Sequence, residues 1–242
     1  MIRVDRINKS FNGIQAARGI SFAAEDGKIT ALLGPNGAGK STTLRILATV
    51  LAADSGTAYV DAHEVKANPM AVRSQIGVLP HASGLYARLT ARENILYFGQ
   101  LHGMGRTDLR RRLNELIELL EMQEFCDRRV AGFSQGQKIK VALARALIHN
   151  PKNIILDEPT NGLDVMATRA LRNIILHLKD EGRCVLFSSH IMQEVANLGD
   201  NVVVIGHGRV LFTGTLERLS EHAEEADLEE AFIKVIEAEE SP

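Results

Sequence analysis

Hydrophobic residues recur along this chain with two different periods. Between Thr107 and Glu121, Leu109, Leu113, Leu116, Ile117 and Leu120 fall three or four residues apart, which predicts an amphipathic helix. Ser41–Leu51 carries Leu44, Ile46, Leu47 and Leu51 in the same rhythm. Gly136–Asn150 carries Ile139, Leu143, Ala146 and Leu147 and is stopped by Pro151. Val165–Lys179 predicts a further helix that ends near Gly182, and Ile191–Leu198 a short one. Short continuous apolar runs at Ile29–Leu33, Asn153–Leu156 and Arg183–Phe187 read as buried strands. Asn201–Ile205 and Arg209–Phe212 flank His207-Gly208, a pair suited to a β-hairpin turn. Strands alternating with helices predict an α/β fold with a parallel sheet. The stretch from about Leu85 to Asn150 has little strand character and reads as a helical insert.

Composition narrows the class. In 242 residues, 45% are apolar, enough for a full core, so neither a disulfide-stapled miniprotein nor a disordered chain fits. The two cysteines, Cys126 and Cys184, are far apart and sit in no metal-ligand spacing, which argues against structural zinc and fits a reducing compartment. No apolar run approaches the ~18 residues that span a bilayer, and Met1–Phe11 lacks a signal-peptide core, so a soluble chain is expected. The net charge of -2 excludes a dedicated polyanion binder. That charge is uneven: ten acidic and only two basic side chains lie in Leu216–Pro242, which leaves +6 on the first 215 residues. Within this acidic end, Leu228, Ala231, Phe232 and Val235 share one helical face, so a short helix docked on the body is expected.

The chemistry begins at the turn after Leu33. Gly34–Ser41 reads GPNGAGKS, a phosphate-binding loop between a strand and a helix. Its glycines let backbone N–H groups converge on phosphate oxygens, and the helix N-terminus adds partial positive charge. Lys40 is expected to reach the β- and γ-phosphates, and Ser41 to offer its hydroxyl to Mg²⁺. Gly34, Asn36, Gly37, Ala38, Gly39, Lys40, Ser41 and Thr42 are therefore the candidate nucleotide contacts. Ile154–Glu158 reads IILDE, an apolar strand delivering two carboxylates to the C-terminal edge of the sheet. Asp157 suits Mg²⁺, held through water, and Glu158 suits the polarisation of an attacking water.

Further motifs follow in a particular order: Phe133–Gln137 reads FSQGQ before a helix, Asn161–Asp164 reads NGLD, and Ser189-His190 follows an apolar strand. Together with GPNGAGKS and IILDEPT, these resemble the signature, D-loop and switch histidine of ATP-binding-cassette (ABC) ATPases across nearly the whole chain. The segments LYARLTARENI (Leu85–Ile95) and SSHIMQEV (Ser188–Val195) are most similar to sodium-exporter-type ATPases of the ABC-2 class. The resemblance implies a P-loop NTPase fold with a mainly parallel sheet, an antiparallel β subdomain and a helical insert. It implies an ATPase domain over 1–218, with a helical subdomain at about 85–150, and an acidic segment over 219–242.

It also implies a mechanism. Two copies would pack head to tail around ATP, with Lys40 of one facing Ser134, Gly136 and Gln137 of the other. His190 would contact the γ-phosphate and act with Glu158 and Lys40 in catalysis. Asp164 would link the two sites. Phe11 stands where the family places an aromatic ring under adenine; the alternative is a core phenylalanine. Two positions depart from the family pattern. Gln135 replaces a signature glycine. In IGVLPH (Ile76–His81), His81 stands where the family has a glutamine that contacts Mg²⁺ and relays to the permease, the alternative being an exposed loop residue. The implied role is the ATPase subunit energising a membrane permease, peripheral on the cytoplasmic face, with no nucleic-acid partner. The competing role, a soluble ABC ATPase acting on ribosomes or DNA, goes with paired cassettes or long coiled-coil insertions. This chain has one cassette and no such insertion.

Overall fold

The computed structural model describes residues 1–238. The chain opens with β1 (Ile2–Phe11) and β2 (Ile14–Ala24), an antiparallel hairpin. Its turn, Asn12-Gly13, holds both residues at positive φ (49° and 84°), the twist that matches paired strands. Next come β3 (Ile29–Leu33), α1 (Lys40–Leu47), β4 (Ser55–Val60), β5 (His63–Glu64), α2 (Pro69–Gln75) and β6 (Ile76–Leu79). Three helices follow without a strand: α3 (Ala91–Leu101), α4 (Arg106–Leu119) and α5 (Gln135–Leu147). The remainder is β7 (Asn153–Asp157), α6 (Val165–Asp180), β8 (Cys184–Ser189), α7 (Met192–Leu198), β9 (Asn201–Gly206), β10 (Arg209–Gly214), α8 (Leu216–Ala223) and α9 (Leu228–Glu237).

The larger sheet runs β10-β9-β3-β8-β7-β6, parallel from β9 to β6 with β10 antiparallel at the edge. A second, antiparallel sheet runs β2-β1-β4-β5. The central strands are buried on both faces, and alternate residues feed two cores. Ile154 and Leu156 pack with the helices α3 to α7, whereas Ile155 packs with α1 and the antiparallel sheet. Each such fully buried side chain contributes about 1.5–3 kcal/mol. The register pairs Leu33 with Ser189 and Asp157 with Ser188. The ends of β3, β8 and β7 therefore finish level, so the segments that follow them share one edge of the sheet.

The expected helices and strands form with ends shifted by a few residues. Helix α1 stops at Leu47 rather than Leu51, and Thr49 beyond it takes a left-handed φ of 60°. On α9, Ala231 and Val235 are buried and Leu228 and Phe232 pack on the core, as the shared face requires. Helix α8 runs across the expected boundary at Arg218 and buries Leu219. Residues 239–242, part of the expected acidic segment, lie outside the described residues. Among the described residues, no helix is long and apolar enough to cross a membrane.

Candidate nucleotide site

The loop between β3 and α1 is shaped by close backbone approach. A Cβ on Gly34 would lie 2.1 Å from the Ile205 carbonyl oxygen, and one on Gly39 would lie 2.3 Å from that of Ala16. Gly39 also caps α1 at a φ of 105°, a conformation that glycine adopts without strain. The buried Lys40 ammonium donates to the Gly34 and Pro35 carbonyls at 2.7 and 3.0 Å and lies 3.8 Å from Glu158 Oε1. Burial pulls its pKa below the ordinary lysine value, while the charges of Glu158 and Asp157 oppose that pull.

Asp157, at the end of β7, is buried yet meets hydroxyls rather than cations at hydrogen-bond distance. Ser41 Oγ donates to its Oδ1 at 3.0 Å and Ser188 Oγ at 2.8 Å. A hydroxyl beside a carboxylate oxygen is a donor set suited to a hard divalent cation. Glu158 follows at a left-handed φ of 48°, strained for a residue with a side chain and typical of functional strand ends. Its backbone N–H donates to Ser188 Oγ at 3.0 Å. Two imidazoles bracket its carboxylate: His190 Nδ1 lies 3.3 Å from Oε1, and His81 Nδ1 lies 3.7 Å from Oε2. Both rings are exposed, so one end of Glu158 faces solvent.

Ser188 had no assigned part in the sequence reading, although it ties the Asp157 carboxylate to the Glu158 backbone. Glu194 was also missed. Its carboxylate accepts from Ser189 Oγ at 2.7 Å and from Thr160 Oγ1, so it joins the His190 turn to the segment after Glu158. The signals were present: two hydroxyls ending an otherwise apolar strand, and an acid one helical turn beyond them.

The signature-like residues lie on other elements. Ser134 caps α5 through a reciprocal box: Gln137 N–H donates to Ser134 Oγ at 3.2 Å, and Ser134 N–H donates to Gln137 Oε1 at 3.1 Å. Asp164 caps α6 by accepting from Ala167 N–H at 2.7 Å. Gly136 abuts Ala167, where an added Cβ would lie 3.4 Å from the alanine methyl, and Gly162 faces Gln135. Among the described residues, no hydrogen bond or ion pair joins Ser134, Gly136, Gln137 or Asp164 to Lys40, Ser41, Asp157 or Glu158. Phe11 ends β1 with 44% of its surface exposed, so it is not a core residue. It belongs to the hairpin whose return strand lays Ala16 against Gly39.

A glycine-cradled lysine, a buried aspartate on the next strand but one and a bracketed glutamate define a nucleotide-hydrolysing P-loop cassette. The family described as ABC transporter matches residues 17–161. The ABC transporter ATP-binding protein NatA of Bacillus subtilis (strain 168) is 43% identical over 221 residues, 91% of this chain and 90% of that protein. Nod factor export ATP-binding protein I of Paraburkholderia xenovorans (strain LB400) is 36% identical over 213 residues, 88% of this chain and 70% of that protein. The dimeric, post-hydrolysis structure of the ATP-binding cassette MJ0796 with ADP and Pi superposes with a TM-score of 0.80 at 25% identity, covering 89% of this chain and 98% of that one. The chain belongs to the ABC transporter family. Its activity is that of the family's ATP-binding subunits: it hydrolyses ATP to energise a transporter.

Proposed function

We propose that two copies of this chain close head to tail on two ATP molecules and drive an ABC-2-type exporter. One observation carries this reading. Lys40, Asp157, Glu158 and His190 gather at one edge of the sheet, while Ser134 and Gly136, the remaining phosphate donors, sit at the start of α5 with no link to them. A second copy supplies that missing half. Val165 and Met166, 83% and 73% exposed beside Asp164, are apolar side chains of the kind such a contact covers.

In this reading the loop amides from Gly34 to Thr42 and the Lys40 ammonium hold the phosphates, and Phe11 lies under adenine. Ser41 and Asp157 would hold Mg²⁺, which when bound neutralises charge on the β- and γ-phosphate oxygens. Glu158 orients the attacking water and accepts its proton, and His190 contacts the γ-phosphate. The partner's Ser134 hydroxyl and the α5 N-terminus complete the cradle. Gln137 holds Ser134 in place through the cap, and Asp164 links the two sites. His81 stands in for the usual glutamine beside the metal and water. The exporter assignment rests on the relatives named above, and the cytoplasmic, membrane-peripheral location follows from the permease. The permease contact is placed at the 300 Å³ groove that starts beside Val78 and Pro80 and is edged by the exposed Val50.

Light scattering of Glu158→Gln with and without Mg-ATP tests the core of this reading. The variant is expected to be a dimer only with nucleotide. A monomer at micromolar concentration overturns the homodimer. Replacing His81 by Gln should preserve ATPase activity and its Mg²⁺ dependence. A tenfold or larger loss removes His81 from the role given to it.

A further inference from the structure

A second cavity, remote from the phosphate loop, lies where the antiparallel sheet meets α1 and α2. Its volume is 240 Å³, and Ile46, Leu51, Ala58 and Val65 give it an apolar floor. Two features set it apart from an ordinary surface dimple. Thr49 is a β-branched residue held at a left-handed φ of 60°, and its hydroxyl accepts from Arg73 Nε at 2.7 Å, which fixes the guanidinium at the cavity edge. Lys66 and Arg73 both line the cavity, and neither has a carboxylate within ion-pair distance among the described residues. Of the acids in the flanking sequence, Asp54 is taken up by Lys9 Nζ at 2.6 Å and the Ser10 N–H at 2.7 Å, and Asp61 by the N-terminal amine at 2.7 Å.

We infer that this cavity binds a small amphipathic carboxylate, with its apolar body against Ile46 and Val65 and its carboxylate between Lys66 and Arg73. The two unpaired cations select an anion. The apolar floor selects a hydrocarbon body over inorganic phosphate. The volume lies just below the range of about 300–1,000 Å³ usual for drug-sized ligands, which sets the size at a short chain. The site is independent of nucleotide binding in its residues. It does share α1 with the phosphate loop through Ile46, so occupancy is felt at one end of the helix that Lys40 begins.

The test is a titration of the full chain with hexanoate, followed by calorimetry and amide chemical shifts, with ADP present to fill the phosphate loop. Hexanol, hexylamine and inorganic phosphate serve as controls. Saturable hexanoate binding that shifts Val65 and Lys66 is expected, weakened at least tenfold by Arg73→Gln with Lys66→Gln. Absence of saturable binding at 10 mM (about the weakest affinity such contacts give) overturns the inference. So does equal binding of hexanol or phosphate, or hexanoate binding that the variants leave unchanged.

Discussion

In the proposed dimer the sheet edge and the start of α5 both present groups to one phosphate, but they are built differently. At the sheet edge the groups hold one another: Lys40 rests on its own loop, Ser41 and Ser188 both donate to Asp157, and His81 and His190 bracket Glu158. Lys40 and Asp157 are buried there. At α5 the Ser134 side chain is exposed, and its only fixed partners are within the first turn of its own helix. The first region is preorganised for charge before any ligand arrives, where low dielectric makes each interaction strong. The second is a helix cap, which in the proposed dimer becomes a phosphate site only when another molecule brings the phosphate. Changes at the sheet edge should therefore appear in chemistry and binding, and changes at α5 in association and stability.

The sharpest break of this contrast is Glu158→Gln. An amide keeps the size of the side chain and cannot accept the proton. Hydrolysis should fall by at least ~100-fold while ATP still binds, because loss of a general base costs that much. A phosphate-release assay run beside a fluorescent-nucleotide titration reads both quantities. Near-normal turnover would take Glu158 out of the chemistry and leave the sheet edge as a binding site only.

Lys40→Ala should weaken ATP binding by about 10–100-fold, the scale of charge-assisted hydrogen bonds lost to phosphate. Its buried ammonium now donates only to carbonyls of its own loop, so the variant should melt close to the parent protein. A large loss of thermal stability with unchanged nucleotide affinity would reverse the assignment and make Lys40 a structural strut.

Much of this division was legible in the sequence, and the misses have physical reasons. Helices α4 and α6 carry uninterrupted 3.6-residue periodicity because one face of each packs on the core, and α5 keeps an apolar stripe although it is buried all round from Val141 to Leu147. Helix α3 escaped because Ala91, Asn94 and Gly99 are among its buried residues, so apolar spacing understates the buried face. Its start was nonetheless written in Thr90 and Glu93, which form a complete capping box. The hairpin of β9 and β10 was read from His207-Gly208, yet the equivalent Asn12-Gly13 turn between β1 and β2 was passed over. Those strands are half exposed, and an irregularity at Arg6, held at a φ of 50°, interrupts the alternation of β1 between Val4 and Ile7. At the site, motif residues were found because each type is dictated by phosphate chemistry. Ser188 and Glu194 were not, because they act on other side chains, and only the fold brings those together.

A different sharpening comes from the seam between α3 and α5. His102 and His149 stack there with ring centroids 3.7 Å apart and planes 6° from parallel. His149 Nε2 bonds the Ile76 carbonyl at 2.9 Å, so that nitrogen carries the proton and donates. Burial, with His102 and Arg183 beside it, brings the His149 pKa down to about 4, and burial lowers His102 as well. Arg73 and Arg145 line the same groove, and no acid does. A histidine with a lowered folded pKa binds its proton more readily when unfolded. Its stabilising effect is complete above the unfolded value of about 6.5 and is lost as pH falls from there toward 4. The loss should reach at most about 3 kcal/mol. Urea titrations from pH 7.5 to 4.5 should show it, and His149→Gln, which keeps a donor for Ile76, should flatten the profile. Identical profiles would show that the seam carries no proton-linked stability.

The smallest effect belongs to Ser134, where one hydroxyl serves two purposes that can be separated. As the cap of α5 it satisfies the Gln137 N–H, and Ser134→Ala should cost about 1 kcal/mol of folding stability. As the proposed phosphate donor it would act only across the dimer, so the same change should also weaken ATP-driven association. Alanine alone cannot distinguish the two. Glycine can, because it caps a helix to within a few tenths of a kcal/mol of serine while offering no hydroxyl. Ser134→Gly in the Glu158→Gln background should therefore melt almost with its parent yet dimerise less well on Mg-ATP. Denaturant curves and light scattering on the same samples give both numbers. If association recovers along with stability, Ser134 is a cap and nothing more. The phosphate would then be met at α5 by backbone N–H groups alone, and the exposed region would contribute through its helix rather than through the serine.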